Sequence, residues 1–155
     1  MKQGEFVINL SKKVYKWLKP FCKKIEIAGS IRRKEKNPKD IDVVLIPKSE
    51  RHKQKIFETL KLKGKFVQGG EKKDTFKVQG VKVELYFTTP ESWGATLLAY
   101  SSRKGSAIGL RIFARLKGYK LNQYGLFKKG KYVAGKTERE IYDALGKNWK
   151  EPWNR

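Results

Sequence analysis

The sequence predicts an α+β fold followed by a smaller, mostly helical part, and three observations support this prediction. Residues 40–46, Asp-Ile-Asp-Val-Val-Leu-Ile, are β-branched and apolar on both faces beyond the two aspartates, which is typical of a central strand covered on both sides. Segments with helical spacing of apolar residues flank this strand. After Pro90 the pattern becomes mainly helical, so we expect a subdomain boundary there, between residues 1–89 and 90–155.

The first elements are expected to be a helix and a strand. Ser11–Leu18 places apolar residues at helical spacing among lysines, which predicts an amphipathic helix that ends near Pro20. The run Ile25–Ala28 predicts a short buried strand, closed by a turn at Gly29 and Ser30. Together these elements lead the chain into the central strand.

A helix and three β-rich runs are expected after the central strand, which Pro47 ends. Glu50–Leu60 carries an apolar helical stripe. From Lys65 to Thr88, Gly69-Gly70 and Gly80 separate β-rich runs. In the last run four apolar residues alternate with polar ones and are expected to face the core, which leaves Glu84 on the opposite face. The apolar residues are Val81, Val83, Leu85 and Phe87.

The C-terminal part is expected to hold helices and one small hairpin. Trp93–Tyr100 and Ala107–Lys117 have helical patterns, and short runs at Leu121–Phe127 and Lys131–Ala134 suggest the hairpin. The sequence Thr-Glu-Arg-Glu at 137–140 is a capping box that predicts a final helix up to Leu145. The remaining tail is expected to lie against the surface.

The charge balance indicates the kind of partner. Lys and Arg number 37 against 15 Asp and Glu, a net charge of +22, which favours a polyanion because neutralised phosphates release counterions. A membrane surface is the competing partner, but no apolar run approaches the roughly 18 residues of a spanning helix. No signal-peptide pattern opens the chain, so we expect a soluble intracellular protein. The same charge discourages self-association, which favours a monomer.

Two residue counts restrict the chemistry. Cys22 is the only cysteine and His52 the only histidine. An internal disulfide, a cysteine zinc site and histidine triads are therefore poor candidates. We expect Cys22 to be a small packed residue and His52 a surface residue. Catalysis would have to come from carboxylates, hydroxyls, lysine or arginine.

Asp40 and Asp42 are the most informative pair of residues. Residues two apart on a strand point to the same face, and two adjacent carboxylates repel unless a proton or cation lies between them. Mg²⁺ accepts such oxygen ligands together with substrate phosphates. Two solvated acids at a loop–strand junction would be the structural alternative. For Glu84, the spacing leaves a third ligand and an ordinary exposed glutamate equally open.

Phosphate-binding groups precede this pair. Gly29 permits close approach of the backbone to a phosphate, and the Ser30 hydroxyl can bind phosphate oxygens. Arg32 and Arg33 follow, and arginine can bind phosphate through two hydrogen bonds. Together with the two aspartates, these residues predict a site for a triphosphate.

These motifs resemble the nucleotidyltransferase signature of X-family DNA polymerases, the polymerase beta-like enzymes, over nearly the whole chain. The reduced form found in a large DNA virus, with only a palm and a C-terminal subdomain, is the most similar in layout. The segments that carry the resemblance are Gly29–Asp42, Val83–Trp93, Leu97–Tyr100, Leu110–Arg111, Gly118–Phe127 and Ala134–Tyr142.

The resemblance implies a polymerase beta-like palm with a mixed β-sheet flanked by helices, plus a small, mostly helical subdomain that binds nucleotide and DNA. Asp40, Asp42 and Glu84 would bind two Mg²⁺ ions, for which Mn²⁺ could substitute. The activity would be transfer from a dNTP to a primer 3′-hydroxyl, filling short gaps during DNA repair.

The resemblance assigns some of the binding residues, whereas Lys39 and the exposed lysines are suggested by their charge alone. A first set would bind the incoming nucleotide: Gly29, Ser30, Arg33, Lys39 and Tyr100. Arg111 would contact the template strand of gapped or primer–template DNA. Exposed lysines would add salt-dependent contacts to the DNA backbone, among them Lys12, Lys13, Lys16, Lys23 and Lys24.

The chain departs from the family pattern at three places. Glu84 stands where the family usually has Asp, Lys39 replaces a small glycine, and Ala99–Ser102 replaces an aromatic pair and a Thr-Gly-Ser run. A lyase region has no room before the first strand. Two alternatives therefore stay open: a nucleotidyltransferase that acts on RNA or another acceptor, and an inactive module that binds nucleic acid.

Overall fold

The computed structural model describes residues 2–155 and divides the chain into two compact units, one ending at Phe87 and the other spanning Thr88–Arg155. The first unit holds a mixed five-stranded sheet flanked by helices, and the second holds three helices and a small sheet. The predicted α+β fold is confirmed. No helix among the described residues combines the length and the apolar character needed to cross a membrane.

The first unit builds its sheet in the order β1-β2-β5-β4-β3. Its elements are α1 (Gln3–Leu18), a 3₁₀ turn (Lys19–Phe21), β1 (Cys22–Ile27), α2 (Gly29–Arg32), β2 (Ile41–Pro47), α3 (Glu50–Lys63), β3 (Lys65–Gly69), β4 (Lys73–Val78) and β5 (Val81–Phe87). Strands β2 and β5 pair in parallel, whereas the other neighbours pair antiparallel. The parallel pair lies inside the sheet, as the apolar run of β2 predicts.

One face of this sheet carries the core of the first unit. Helices α1 and α3 cover it with apolar side chains at helical spacing, including Leu10, Val14 and Leu60, all at most 2% exposed. From β2 and β5 the same cluster takes every second residue, beginning at Ile41 and at Val81. Each fully buried Leu or Ile contributes roughly 1.5–3 kcal/mol. The residues between them, Asp42 and Glu84 included, belong to the opposite face.

The predicted helix and strand at the start of the chain are present with different bounds. Helix α1 begins at Gln3 rather than Ser11, and its Gly4 is buried where an added Cβ would lie 2.7 Å from the Lys36 carbonyl oxygen. The polar residues of its first turn concealed this start. The expected turn at Gly29 and Ser30 is the first turn of the short helix α2.

The second unit contains α4 (Trp93–Ser101), α5 (Lys104–Leu116), β6 (Lys120–Asn122), β7 (Gly125–Lys128), β8 (Lys131–Ala134), α6 (Glu138–Leu145) and a 3₁₀ turn (Pro152–Asn154). The predicted hairpin is present as the antiparallel pair β7 and β8, but the run Leu121–Phe127 is divided into two strands, β6 and β7, so the sheet has three strands. The Asn122 side chain causes the division, since its Oδ1 accepts from the backbone N–H groups of Tyr124 at 2.8 Å and Gly125 at 3.2 Å.

The end of the chain is tied into the second unit. The predicted cap and the predicted helix are present, because the Thr137 hydroxyl accepts from the Glu140 N–H at 3.0 Å, and Gly146 ends α6 with a φ of 68°. Arg155 donates to the Glu138 carboxylate at 2.6 Å, and both side chains are buried. The tail is therefore integrated more deeply than a segment lying on the surface.

Gly94→Ala is expected to destabilise the second unit strongly. A Cβ at Gly94 would lie 2.2 Å from the Thr137 carbonyl carbon, so α4 would have to move away from the start of α6. Overpacking of this kind costs about 1–3 kcal/mol or more. Urea denaturation would measure the loss. Gly109→Ala is the matched control, since it lies in exposed helix α5 with open space around it and should gain up to about 1 kcal/mol. Equal effects of the two substitutions would contradict the prediction.

Candidate active site

The parallel pairing of β2 and β5 places two predicted site residues side by side. Asp42 and Glu84 are register partners, with Ile41 and Val83 as the preceding pair. The preceding pair points into the core, so the two carboxylates share the face opposite to α1 and α3. Asp40 lies just before β2 and is exposed. The fold thus places Asp42 beside Glu84, although the two are far apart in the sequence.

Gly29 forms the wall behind Asp42. Its φ is 60°, and a Cβ at this position would lie 2.2 Å from the Asp42 Oδ2 atom. The neighbouring Ala28 N–H donates to the Asp42 carbonyl oxygen at 2.8 Å. A left-handed backbone and a close approach both require glycine here. Gly29 was predicted for phosphate binding, and the structure shows that it also leaves space for the carboxylate.

Asp42 lies in an environment that disfavours its charge. Burial raises the pKa of its carboxyl to about 6, and the negative charges of Glu84 and Asp40 add to the rise. The Lys82 ammonium and a hydrogen bond from Tyr86 offset only part of it. The carboxylate of Asp42 is therefore incompletely compensated by the protein.

Glu84 is held by three polar groups. It is 6% exposed, and its Oε2 lies 2.5 Å from the Lys73 ammonium while its Oε1 lies 2.9 Å from that of Lys82. The Tyr86 hydroxyl donates to Glu84 Oε2 at 3.1 Å and makes a weaker contact with Asp42 Oδ1 at 3.5 Å. Burial alone would raise the pKa of Glu84, but the two lysines outweigh it and the pKa lies below its usual value. Lys73 and Lys82 thus neutralise the third predicted metal ligand.

The carboxylates of Asp42 and Glu84 are adjacent but do not form a complete set of metal ligands. Between residues 2 and 155, no three Asp, Glu, His or Cys side chains form a group that could hold a metal ion by themselves. Both Glu84 oxygens are occupied by ammonium groups. Cation binding at this site would require these ion pairs to open.

The predicted phosphate-binding residues surround α2. Ser30 lies in its first turn and is half-buried, whereas Lys39 is exposed in the loop before Asp40. Arg33 directs its Nε and Nη2 atoms to the same oxygen of Glu35, at 2.8 and 2.6 Å. Phosphate binding by Arg33 would therefore compete with Glu35, and the role of all three residues stays a prediction.

The remaining predicted contacts lie on outer surfaces of their own units. Tyr100 is half-buried in α4, and Arg111 is exposed on α5 in the second unit. Five lysines of the first unit are exposed on α1 and β1: Lys12, Lys13, Lys16, Lys23 and Lys24. Their exposure is compatible with contacts to a polyanion, which remain predictions.

Three residues of the site were not found from the sequence: Lys73, Lys82 and Tyr86. The last two could have been, because they flank Glu84 at spacing two on the same strand and so share its face. Lys73 was hidden, since only the strand register places it opposite Tyr86. No local pattern carries that information.

Cys22 and His52 do not belong to the site. Burial raises the pKa of the Cys22 thiol to about 11, so it is packed and unreactive as expected. His52 lies at the start of α3, where its Nδ1 is 2.7 Å from the Ser49 hydroxyl. Neither residue contributes to the chemistry of the carboxylates.

Comparisons with known proteins find similar sequences among DNA polymerases. The family model of the DNA polymerase beta thumb matches residues 96–155. The chain is 28% identical over 170 aligned positions to a protein named Repair DNA polymerase X from a Kenyan isolate of African swine fever virus, covering 100% of this chain and 98% of the relative. The protein of the same name from a Malawi isolate is 27% identical, covering 99% and 97%. That from the Badajoz strain is 29% identical over 147 positions, covering 89% and 84%.

Proposed function

We infer that this chain is an X-family DNA polymerase in its reduced form, and we propose that it fills short gaps in DNA during repair by adding dNTPs to a primer 3′-hydroxyl. The family is supported by the thumb match and by similarity to viral repair polymerases over the full length. The observation that supports the activity is the pairing of Asp42 with Glu84 on parallel strands. Gly29 lies next to Asp42 and leaves space for its carboxylate. The first unit would be the palm, and the second would bind nucleotide and DNA.

Asp42 and Glu84, with substrate phosphates, would suit divalent cations once the lysine ion pairs of Glu84 open. Mg²⁺ takes oxygen ligands and often completes its shell with substrate phosphates, which suits a site with two adjacent carboxylates and Asp40 nearby. Burial, together with repulsion from Glu84 and Asp40, raises the pKa of Asp42, and a nearby cation would stabilise its charged form. Asp40, Asp42 and Glu84 would hold the ions, Mg²⁺ or Mn²⁺. When bound, such ions lower the pKa of the primer hydroxyl and stabilise charge on the phosphate.

The side chains of the chain itself would position the substrates. Ser30 and Arg33 would bind the triphosphate, with Lys39 adding positive charge at the edge of the site. In the reaction a bond forms between the primer 3′-oxygen and the α-phosphorus, and the bond to the leaving pyrophosphate breaks. Tyr100 would contact the sugar of the incoming nucleotide and Arg111 the template strand. The exposed lysines of α1 and β1 would bind phosphates along the DNA.

One observation favours the inactive binding module as a second candidate. Both oxygens of Glu84 are neutralised by lysines in this structure, which would suit a purely structural glutamate. An acceptor other than DNA, such as RNA, is the remaining possibility within the enzyme class. The enzyme and the inactive module differ in whether a divalent cation displaces Lys73 and Lys82 from Glu84.

Single-nucleotide extension on a one-nucleotide-gapped duplex tests the proposal. Each dNTP and rNTP would be supplied in turn with Mg²⁺ or Mn²⁺. We expect metal-dependent addition of the nucleotide that matches the template. An RNA primer in parallel tests the other acceptor. Intact DNA binding without extension of either primer would refute the polymerase and leave the binding module.

Lys73→Met and Lys82→Met are each expected to lower the metal concentration needed for half-maximal binding. Both lysine side chains are about half exposed, at 48% and 51%, so each ion pair is worth up to about 1 kcal/mol. Losing one of them should change the apparent metal affinity by up to about fivefold. Terbium luminescence of the DNA-free protein measures this directly. Lys77→Met is the control, since it removes an exposed lysine of β4. An equal shift in all three variants would show that only net charge matters.

A further inference from the structure

The second unit contains an open cleft of about 520 Å³ that the proposed activity does not use. It lies where the end of α5 meets the turns of the small sheet. Its walls include the cations Arg115, Lys120 and Lys129 and the rings of Tyr119 and Phe127. All of these residues belong to the second unit, whereas Asp42 and Glu84 belong to the first. A cleft of this size is within the range that holds small ligands.

The charges of the cleft are uncompensated. Arg115, Lys120 and Lys129 are all exposed, and within the part of the chain that the structure describes none of them forms an ion pair. No acidic residue lines the cleft. Three unpaired cations around one concavity favour an anionic ligand with more than one charge.

The rings and glycines of the cleft add a second kind of contact. Tyr119 and Phe127 are half-buried; the Lys128 ammonium lies 5.2 Å from the centre of the Tyr119 ring, and Tyr132 packs edge to face with Phe127. Gly118 and Gly130 have φ values of 85° and 77°, and no atom lies within 4 Å of the place where a Cβ would stand. Their backbone is therefore open to a ligand. Aromatic faces between cations are the arrangement that binds bases and phosphates of unpaired strands.

We propose that this cleft binds one or two unpaired nucleotides of a DNA strand, with phosphates on Arg115, Lys120 and Lys129 and a base against Tyr119. The inference rests on the proposed function in taking DNA as the substrate, and it adds a separate site for single-stranded DNA. A free nucleoside triphosphate shares the same chemistry and is the competing source. Because Asp42 and Glu84 do not line the cleft, a substitution of Asp42 should leave binding at the cleft unchanged.

Binding of a fluorescein-labelled oligothymidylate to the Lys120→Gln/Lys129→Gln protein tests the charges. Fluorescence anisotropy should show affinity reduced about tenfold, and a salt dependence whose slope falls by about 1.4 for two lost contacts to a single strand. The control is Lys55→Gln/Lys65→Gln, which removes the same charge from exposed positions on α3 and β3. Equal losses in the two proteins would overturn the site in favour of general electrostatics.

Tyr119→Leu and Tyr119→Phe test the ring with an oligonucleotide that contains 2-aminopurine. Stacking should quench the fluorescence in the parent and Phe proteins, while Leu should lose the quenching and weaken binding about fivefold or more. Unchanged quenching in the Leu protein, or displacement of the oligonucleotide by dTTP alone at equal concentration, would overturn the proposal. Adding the Asp42→Asn substitution separates this result from the proposed function, because an inactive polymerase should still bind at the cleft.

Discussion

Asp42→Asn is expected to lower the rate of nucleotide addition by about a thousandfold or more while DNA affinity stays within about twofold. Metal stabilisation of the reacting phosphate is worth several kcal/mol, and each 1.36 kcal/mol is a factor of ten in rate. The asparagine keeps the shape of the side chain but loses the anionic ligand beside Glu84. Single-turnover extension on gapped DNA measures the rate, and anisotropy measures the affinity.

The same substitution should stabilise the metal-free protein at neutral pH. The folded pKa of Asp42, about 6, lies above its usual value of 3.8, so the folded state prefers the protonated carboxyl. Its favourable contribution is therefore present below about pH 4 and is lost as the pH rises through about 6. The difference in unfolding free energy between Asn and Asp proteins should grow over this range to at most about 3 kcal/mol. Chelator-treated samples unfolded in urea across this pH range give the curve.

Asp143→Asn is the control for both arms. Asp143 is an exposed carboxylate on α6, so its loss should leave the rate unchanged and alter the stability by at most about 0.5 kcal/mol. An Asp42→Asn protein that still extends primers at the parent rate would exclude this carboxylate from the reaction. If the stability of the Asp42→Asn protein falls with rising pH as steeply as that of the parent, Asp42 is not the titrating group.

Gly29→Ala should remove most of the activity even though it changes no charged group. The added Cβ would lie 2.2 Å from Asp42 Oδ2, and the alanine would have to adopt a φ of 60°. We expect the carboxylate to shift, and a misplacement near 1 Å can cost about a hundredfold in rate. The backbone strain costs a further 1–3 kcal/mol or so of stability. Extension rates and urea denaturation measure the two effects separately.

Gly80→Ala distinguishes the contact from the strain. Gly80 also has a positive φ, 79°, but no atom lies within 4 Å of its would-be Cβ. The Gly80→Ala protein should therefore lose stability through a similar backbone strain but retain its activity. If the two alanine proteins lose activity to the same extent, the contact between Gly29 and Asp42 does not explain the effect.

Much of the first unit could be predicted because its signals are local. Beyond Asp42 the β2 run is apolar on both faces, which predicts a strand, and the apolar stripe of α3 predicts a helix. Neither prediction needs information from the rest of the chain. The start of α1 could not be placed, since polar residues at its first turn hide a helix whose stability comes from packing further along. The split at Asn122 was also missed, because it depends on a side-chain hydrogen bond rather than on hydrophobic period.

For the candidate site, the sequence predicted which carboxylates to examine but not what surrounds them. Asp42 and Glu84 were named from spacing and from family resemblance, and strand register explains why they are neighbours. The ion pair between Lys73 and Glu84 and the close approach of Gly29 to the Asp42 carboxylate both depend on how distant segments are brought together. Such contacts have no period in the sequence, so only a three-dimensional structure reveals them.

The parallel pairing of β2 with β5 has a consequence for the order of folding. The strands β3, β4 and β5 are joined by short turns and can associate early, whereas β2 reaches β5 only after a long loop containing α3 and two strands has closed. The pair of carboxylates Asp42 and Glu84 would therefore be among the last parts of the first unit to assemble. Refolding intermediates would carry most of the secondary structure without affinity for a lanthanide probe, and recovery of that affinity would report completion of the native sheet.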